Sequence, residues 1–265
     1  MIRFAAITPH PPIIIPTIGR SNLNLCRKTV DAMKGAGEKF RAVKADTIVL
    51  VSPHGPVQYD KFVINYSPAL RGGLSSFGDH RKFVFENDRE LIDEIVASSR
   101  TAHLPVGLAR ELELDHGALV PLHYLIKEKE TAYNPKLIHL SFSMLPLDYH
   151  FKFGQVIGQA LQNSPKVISF VASGDLSHRV TPDAPAGYSP QGRLFDRTLT
   201  SLIQRKSVKE ILDLDRNLIE DAGECGLRSI VMLLGALSDL RWEVKSLDYE
   251  APFGVGYMVA VMNIK

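Results

Sequence analysis

The sequence is poor in cysteine, in charge imbalance and in long apolar runs. Two cysteines, Cys26 and Cys225, occur in 265 residues. At most one disulfide is available, a usage that suits a reducing compartment. Thirty-one Lys and Arg against twenty-nine Asp and Glu leave a formal charge of +2. No basic run interleaved with aromatics tracks a phosphate backbone, and the densest stretch, Arg205-Lys206-Ser207-Val208-Lys209, reads as a solvated helix connection. Nucleic acid is not expected as a partner. No apolar stretch approaches a membrane span, and Met1 to Ile15 is interrupted by His10 and by prolines, without a small-residue cleavage site. Also missing are a Walker-type phosphate loop, a dinucleotide fingerprint and a Gly-x-Ser-x-Gly elbow. These absences point to a soluble protein of the cytoplasm that does not contact a membrane.

What is there is a globular composition, 45% hydrophobic and 23% charged. A chain of this size buries roughly 70–75% of its unfolded surface, so its core needs no staple. Strand-like and helix-like segments alternate. Ile2 to Thr8, Asp46 to Ser52, Lys61 to Tyr66, Lys136 to Phe142, Lys166 to Ser173, Trp242 to Tyr249 and Gly256 to Ile264 read as strands. Asn22 to Val43, Arg89 to Ser99, His116 to Lys127, Tyr149 to Gln162, Leu194 to Gln204 and Cys225 to Leu237 read as helices, and residues 179–192 read as loop. The expected fold is α/β, a single domain with a central mixed sheet flanked by helices.

Ligands of open α/β sheets bind beyond the carboxyl ends of strands. Three of the nine histidines, His10, His54 and His178, follow apolar strands by a few residues, two of them among stiffening prolines. One such residue is an ordinary loop histidine; three on one predicted edge suggest a site. His116 begins a helix, where Asp115 is also a plausible cap. Neutral imidazoles are common metal ligands, and two His plus one carboxylate is the facial pattern of non-haem Fe(II) oxygenases. Asp175, Glu224 and Glu250 are the candidate carboxylates. Glu224 reads equally as a helix-start acid favoured by the macrodipole. His80 and His103 read as surface, His123 as packed or solvent-facing, His139 as core, and His150 as a helix-start residue without a nameable partner. Cys225, near a helix start, offers a second reading as a thiol nucleophile.

Four segments carry a resemblance: Thr8-Pro9-His10-Pro11-Pro12, Ser52-Pro53-His54-Gly55, Leu114-Asp115-His116-Gly117 and Ser173-Gly174-Asp175-Leu176-Ser177-His178. In this order they resemble the class III extradiol ring-cleaving dioxygenases, specifically the catalytic B subunit of protocatechuate 4,5-dioxygenase and its relatives. The resemblance runs from the first strand to Gly256-Tyr257 and implies one B-subunit-like domain over residues 1–265. It implies an Fe(II) enzyme of aromatic compound catabolism that opens a catechol ring beside its hydroxyls with both atoms of O2. His10 and His54 then match the histidine ligands, His178 the acid/base, and His116 a second active-site histidine. Glu224 is the nearest match to the carboxylate ligand. The family also implies a dimer or larger homo-oligomer. Memo-type proteins share the fold, and there a Cys-Gly pair like Cys225-Gly226 occupies the metal site. This gives the alternative of a Memo-like metal-binding redox or scaffold protein without ring cleavage. The carboxylate is the expected third ligand, because Fe(II) in an oxygen-activating site favours oxygen over thiolate donors, and one negative charge keeps the site at net +1.

Overall fold

Residues 1–126 and 133–265 are described by the computed structural model, and the runs without a charged residue lie at its centre. β2 (Thr47–Ser52) and β8 (Ile168–Ser173) are buried along their whole length, as expected of strands covered on both faces. With β1 (Ile2–Thr8), β3 (Phe62–Asn65), β6 (Val106–Ala109), β7 (Lys136–Ser141), β9 (Trp242–Glu250) and β10 (Tyr257–Ile264) they form an eight-stranded sheet. Its order is β6-β3-β7-β2-β8-β1-β10-β9. The four central strands, β7, β2, β8 and β1, are mutually parallel. β10 and β9 add antiparallel beside β1, and β3 pairs antiparallel with β7, so the sheet is mixed. β4 (Ala69–Gly73) and β5 (Lys82–Glu86) make a separate hairpin.

Alternation along the central strands splits the core in two. Val49 and Val51 of β2 join Ile7, Phe170 and Ala172 on one face, whereas Ile48 and Leu50 join Phe4, Ala6 and Val171 on the other. The helices in chain order are α1 (Pro16–Gly19), α2 (Arg27–Val43), α3 (Arg89–Thr101), α4 (His116–Leu125), α5 (Leu147–Asn163), α6 (Pro190–Arg205), α7 (Val208–Leu212), α8 (Arg216–Ala222) and α9 (Leu227–Ala236). Residues of α3, α5, α6 and α9 line the first core; those of α2 and α4 line the second. Among the described residues no helix is long and apolar enough to cross a membrane.

Parallel alignment puts the carboxyl ends of the central strands on one edge. Thr8 pairs with Ser173, and Ser52 with Ser141. At the opposite side of the sheet from β6, the outer strand β9 has Lys206 Nζ on the Trp242 carbonyl at 2.9 Å and Lys28 Nζ on the Tyr249 carbonyl at 3.2 Å.

The expected α/β architecture is the observed one, with differences at several boundaries. Arg20–Asn24 is a 3-10 turn, so the first long helix starts at Arg27 rather than Asn22. The segment read as loop to residue 192 ends earlier, because Ser189 accepts the Gln191 amide and Pro190 opens α6. The last long helix starts at Leu227 rather than Cys225. Lys127, the expected end of the His116 helix, lies outside the described residues. The β4–β5 hairpin, β6, α7 and α8 went unread in the sequence.

Candidate metal centre

β1, β2 and β8 each hand the chain to the same edge, and the turns after them carry the chemistry. His10 lies two residues beyond Thr8, and His54 two beyond Ser52. Their Nε2 atoms face each other at 2.9 Å. His116 opens α4, where the Asp115 carboxylate caps the helix by accepting the Ala118 amide at 3.2 Å. Its ring stacks on His54 with centroids 4.3 Å apart. One nitrogen from each of His10, His54 and His116 lies within 4.8 Å of the others.

The hydrogen bonds behind His10 set which nitrogen it offers. The Ser173 hydroxyl donates its one proton to the Gly117 carbonyl at 2.5 Å. Toward His10 Nδ1, 3.0 Å away, Ser173 Oγ therefore acts as acceptor, and Nδ1 carries the imidazole proton. Nε2 is left with its lone pair toward His54. A tautomer fixed from behind in this way is characteristic of ligating histidines. Burial, reinforced by His116, lowers His10 to about 3; burial and His10 lower His54 to about 4. Both are neutral near pH 7. Two neutral imidazole nitrogens held face to face about one metal-ligand edge apart, bond lengths being about 2 Å, fit a divalent cation.

A second layer holds these loops. Ser52 donates to Asp115 Oδ1, and the other Asp115 oxygen lies 3.2 Å from His139 Nε2 on β7. Burial alone raises the Asp115 carboxyl, but His139 and Ser52 outweigh it and hold the group well below the usual carboxylate range. Gly117 follows His116 because a Cβ there would lie 2.5 Å from Ser52 Oγ and 3.3 Å from His54 Cδ2. His139, read from the sequence as core, is thus buried against the site's carboxylate. The signal available was the serine that closes β2, β7 and β8 alike.

The carboxylates and the thiol sort differently from expectation. Glu224, expected as the third ligand, lies outside the histidine group. Its Oε2 accepts the Leu227 amide at 2.6 Å, an orphan donor of the first turn of α9, and Oε1 is 3.8 Å from Arg228 Nη1. Glu250 caps α2 instead, accepting the Thr29 amide at 2.6 Å. Asp175 is the carboxylate at the cluster: Oδ1 accepts the His10 amide at 3.0 Å, and Oδ2 is 3.9 Å from His10 Nε2. Burial raises its pKa. Cys225 Sγ stands 3.7 Å from His10 Nε2 and accepts the Asp175 amide at 3.3 Å. Burial and then Asp175 push this thiol up, opposite to the lowering that a helix start was expected to give, so without a cation Cys225 is not an activated nucleophile.

His178 stands beside the group rather than in it. Its Nδ1 is 2.7 Å from the Gly223 carbonyl. A carbonyl only accepts, so Nδ1 carries the proton and Nε2 is the basic nitrogen. Beyond Gly223 and Glu224 a cavity of 810 Å³ opens, walled by Leu145, Leu147, Ile219 and Arg228 among others.

Known proteins are similar to this chain along most of its length. A Clostridium acetobutylicum protein, Protein CA_C1420, is 30% identical over 96% of this chain, which spans about half (56%) of that relative's length. The Escherichia coli 3,4-dihydroxyphenylacetate 2,3-dioxygenase is 25% identical, with 91% of each chain covered. A crystal structure of uncharacterized protein JW3007 from Escherichia coli K12 superposes with a TM-score of 0.66 at 17% identity, covering 98% of this chain and 99% of the other, which shows a shared fold. The family model for the catalytic LigB subunit of aromatic ring-opening dioxygenase matches residues 4–260, and the chain belongs to that family.

Proposed function

We propose that this protein is a non-haem Fe(II)-dependent extradiol dioxygenase that opens the ring of a catechol with O2. The observation that carries the reading is the group His10, His54 and His116 at the carboxyl edge of the sheet, with the bare Nε2 of His178 beside it. Family membership and the dioxygenase relatives support it. His10 and His54 hold the metal in this reading, and His116 is the third donor. That assignment makes His116, expected as a second active-site histidine, a metal ligand and leaves Glu224 as a helix cap. Iron bound there supplies Lewis acidity to the catechol hydroxyls and electron transfer between ring and O2.

The chain's own residues do the rest. His178 Nε2 takes a proton from a catechol hydroxyl, a contribution of about 10²–10⁴-fold when a base is well placed. Ser173 keeps His10 in the ligating tautomer, and Asp175 anchors the His10 backbone. The 810 Å³ cavity beside Glu224 has a size typical of small-molecule sites, and none of the four histidines lines it. Both oxygen atoms of O2 enter the product as the carbon–carbon bond beside the hydroxyls breaks.

The 3.7 Å approach of Cys225 Sγ to His10 Nε2 favours a second reading, a Memo-like metal-binding redox or scaffold protein that ligates through the thiolate and cleaves no ring. Anaerobic protein loaded with Fe(II) and mixed with a catechol separates the two. A yellow ring-fission product on admitting O2 supports the dioxygenase. Stoichiometric iron without product, lost in Cys225→Ser, supports the second reading.

A further inference from the structure

The residue before His178 is gripped through its backbone amide by α6. Ser177 N–H donates to Asp196 Oδ1 at 2.8 Å, and the other Asp196 oxygen accepts the Tyr249 hydroxyl at 2.6 Å. Asp196 is fully buried in α6. Two glycines make this approach possible. One turn earlier on α6, a Cβ on Gly192 would lie 2.4 Å from Ser177 Oγ; across the gap, a Cβ on Gly256 would lie 2.1 Å from Asp196 Oδ2. The Ser177 carbonyl accepts the Gly256 amide at 2.8 Å. Its hydroxyl donates to the Ala222 carbonyl at 2.7 Å and accepts the Arg179 amide at 3.0 Å.

His178 is therefore set by its neighbours on both sides. Its own amide reaches the Ala222 carbonyl at 3.2 Å, and its ring reaches the next carbonyl, that of Gly223, at 2.7 Å. The ring bond spans from the loop after β8 to the end of α8, the stretch that the Ser177 hydroxyl also reaches. An isolated carboxyl is costly to bury. Placing one where it accepts one backbone amide and one phenol, between α6, β9 and the loop, fixes the Ser177 peptide in one orientation.

We propose that Asp196, anchored by Tyr249, is a positioning residue for His178: it fixes the Ser177 peptide, which keeps the His178 ring on the Gly223 carbonyl with Nε2 free for the substrate proton. The proposal rests on the reading of His178 as the proton acceptor. Its first test does not depend on turnover. In full-length protein loaded with zinc, which is diamagnetic, ring ¹⁵N signals of His178 report the tautomer. Wild type and Asp196→Asn, which retains an acceptor for Ser177 N–H, show a proton fixed on Nδ1. Asp196→Ala averages the two tautomers, and Tyr249→Phe shifts the signals part of the way. Bound zinc stays at the wild-type ratio throughout, since Asp196 touches none of the three clustered histidines.

In the iron-loaded enzyme Asp196→Ala lowers kcat by about 10²-fold, the scale of a misplaced catalytic group, with KM little changed and Asp196→Asn restoring the rate. Fixed wild-type signals in a folded Asp196→Ala protein overturn the proposal. If Asp196→Ala does not fold, wild-type signals in Tyr249→Phe overturn it equally. If wild type itself turns over no catechol while the tautomer shift occurs, the positioning stands and the dioxygenase reading falls.

Discussion

Gly174 and Gly226 meet backbone to backbone: a Cβ placed on Gly174 would lie 2.1 Å from the Gly226 Cα. That approach presses the end of β8 against the entry to α9, and it is why Asp175 and Cys225 exchange hydrogen bonds beside His10. A methyl group at this point has only backbone to push against. Gly174→Ala is expected to lose about 1–3 kcal/mol, the usual cost of overpacking. Thermal unfolding measures it, with Tm falling by about 2–4 °C per kcal/mol at this chain length. A variant as stable as wild type, with unchanged metal affinity, would show that the contact is loose.

Metal content tests the donor set. His10→Ala and His54→Ala are expected to retain no metal after dialysis, whereas Glu224→Gln keeps a full equivalent, because its carboxylate is engaged by the Leu227 amide. Iron retained in His10→Ala, or lost in Glu224→Gln, reverses the assignment.

Ser173→Ala removes the acceptor that keeps the proton on His10 Nδ1. Changes to groups behind a ligand typically cost 10–100-fold in affinity, and a loss of about that size is expected in competition with a chelator. The variant also orphans the buried Gly117 carbonyl, so stability is expected to fall by about 1–3 kcal/mol.

His150 supplies a pH dependence away from the cluster. It is fully buried, with Nδ1 2.9 Å from the Pro146 carbonyl. Burial, outweighing that bond and the one to Ser143, lowers it to about 4 from 6.5. The unfolded chain takes up this proton first as pH falls, so stability is full above pH 6.5 and declines between about 6.5 and 4. The decline attributable to His150 is on the order of 3 kcal/mol. Denaturant titrations at pH 7.5 and pH 4.5 should show a smaller difference for His150→Gln than for wild type. Equal differences would remove His150 from the acid sensitivity.

Much of the site was legible because position along a parallel strand is position in space. Once Ile2 to Thr8, Asp46 to Ser52 and Lys166 to Ser173 are read as neighbouring parallel strands, His10, His54 and His178 must share an edge. Whether Glu224 or Cys225 turns inward was not legible. That depends on where α9 begins, and the apolar pattern places the start at Cys225 although the helix opens at Leu227. His139 was hidden for a different reason: a histidine inside an apolar strand looks like core until the partner across the sheet edge, Asp115, is placed. The β4–β5 hairpin has alternating burial in Lys82–Glu86, but the five-residue span, with Gly72-Gly73 in its partner, is too short to stand out.

The two lysines that reach β9, Lys28 from α2 and Lys206 from the end of α6, have a bearing on how a further strand could meet it. Exposed outer strands invite another strand to pair, and inserted lysines are one way in which proteins discourage it. Here the ammonium groups of Lys206 and Lys28 rest on carbonyls near the two ends of that strand. Continuing the sheet into a second molecule would evict both charges from their carbonyls or trap them in the seam. The β9 margin is thereby a poor template for a further strand.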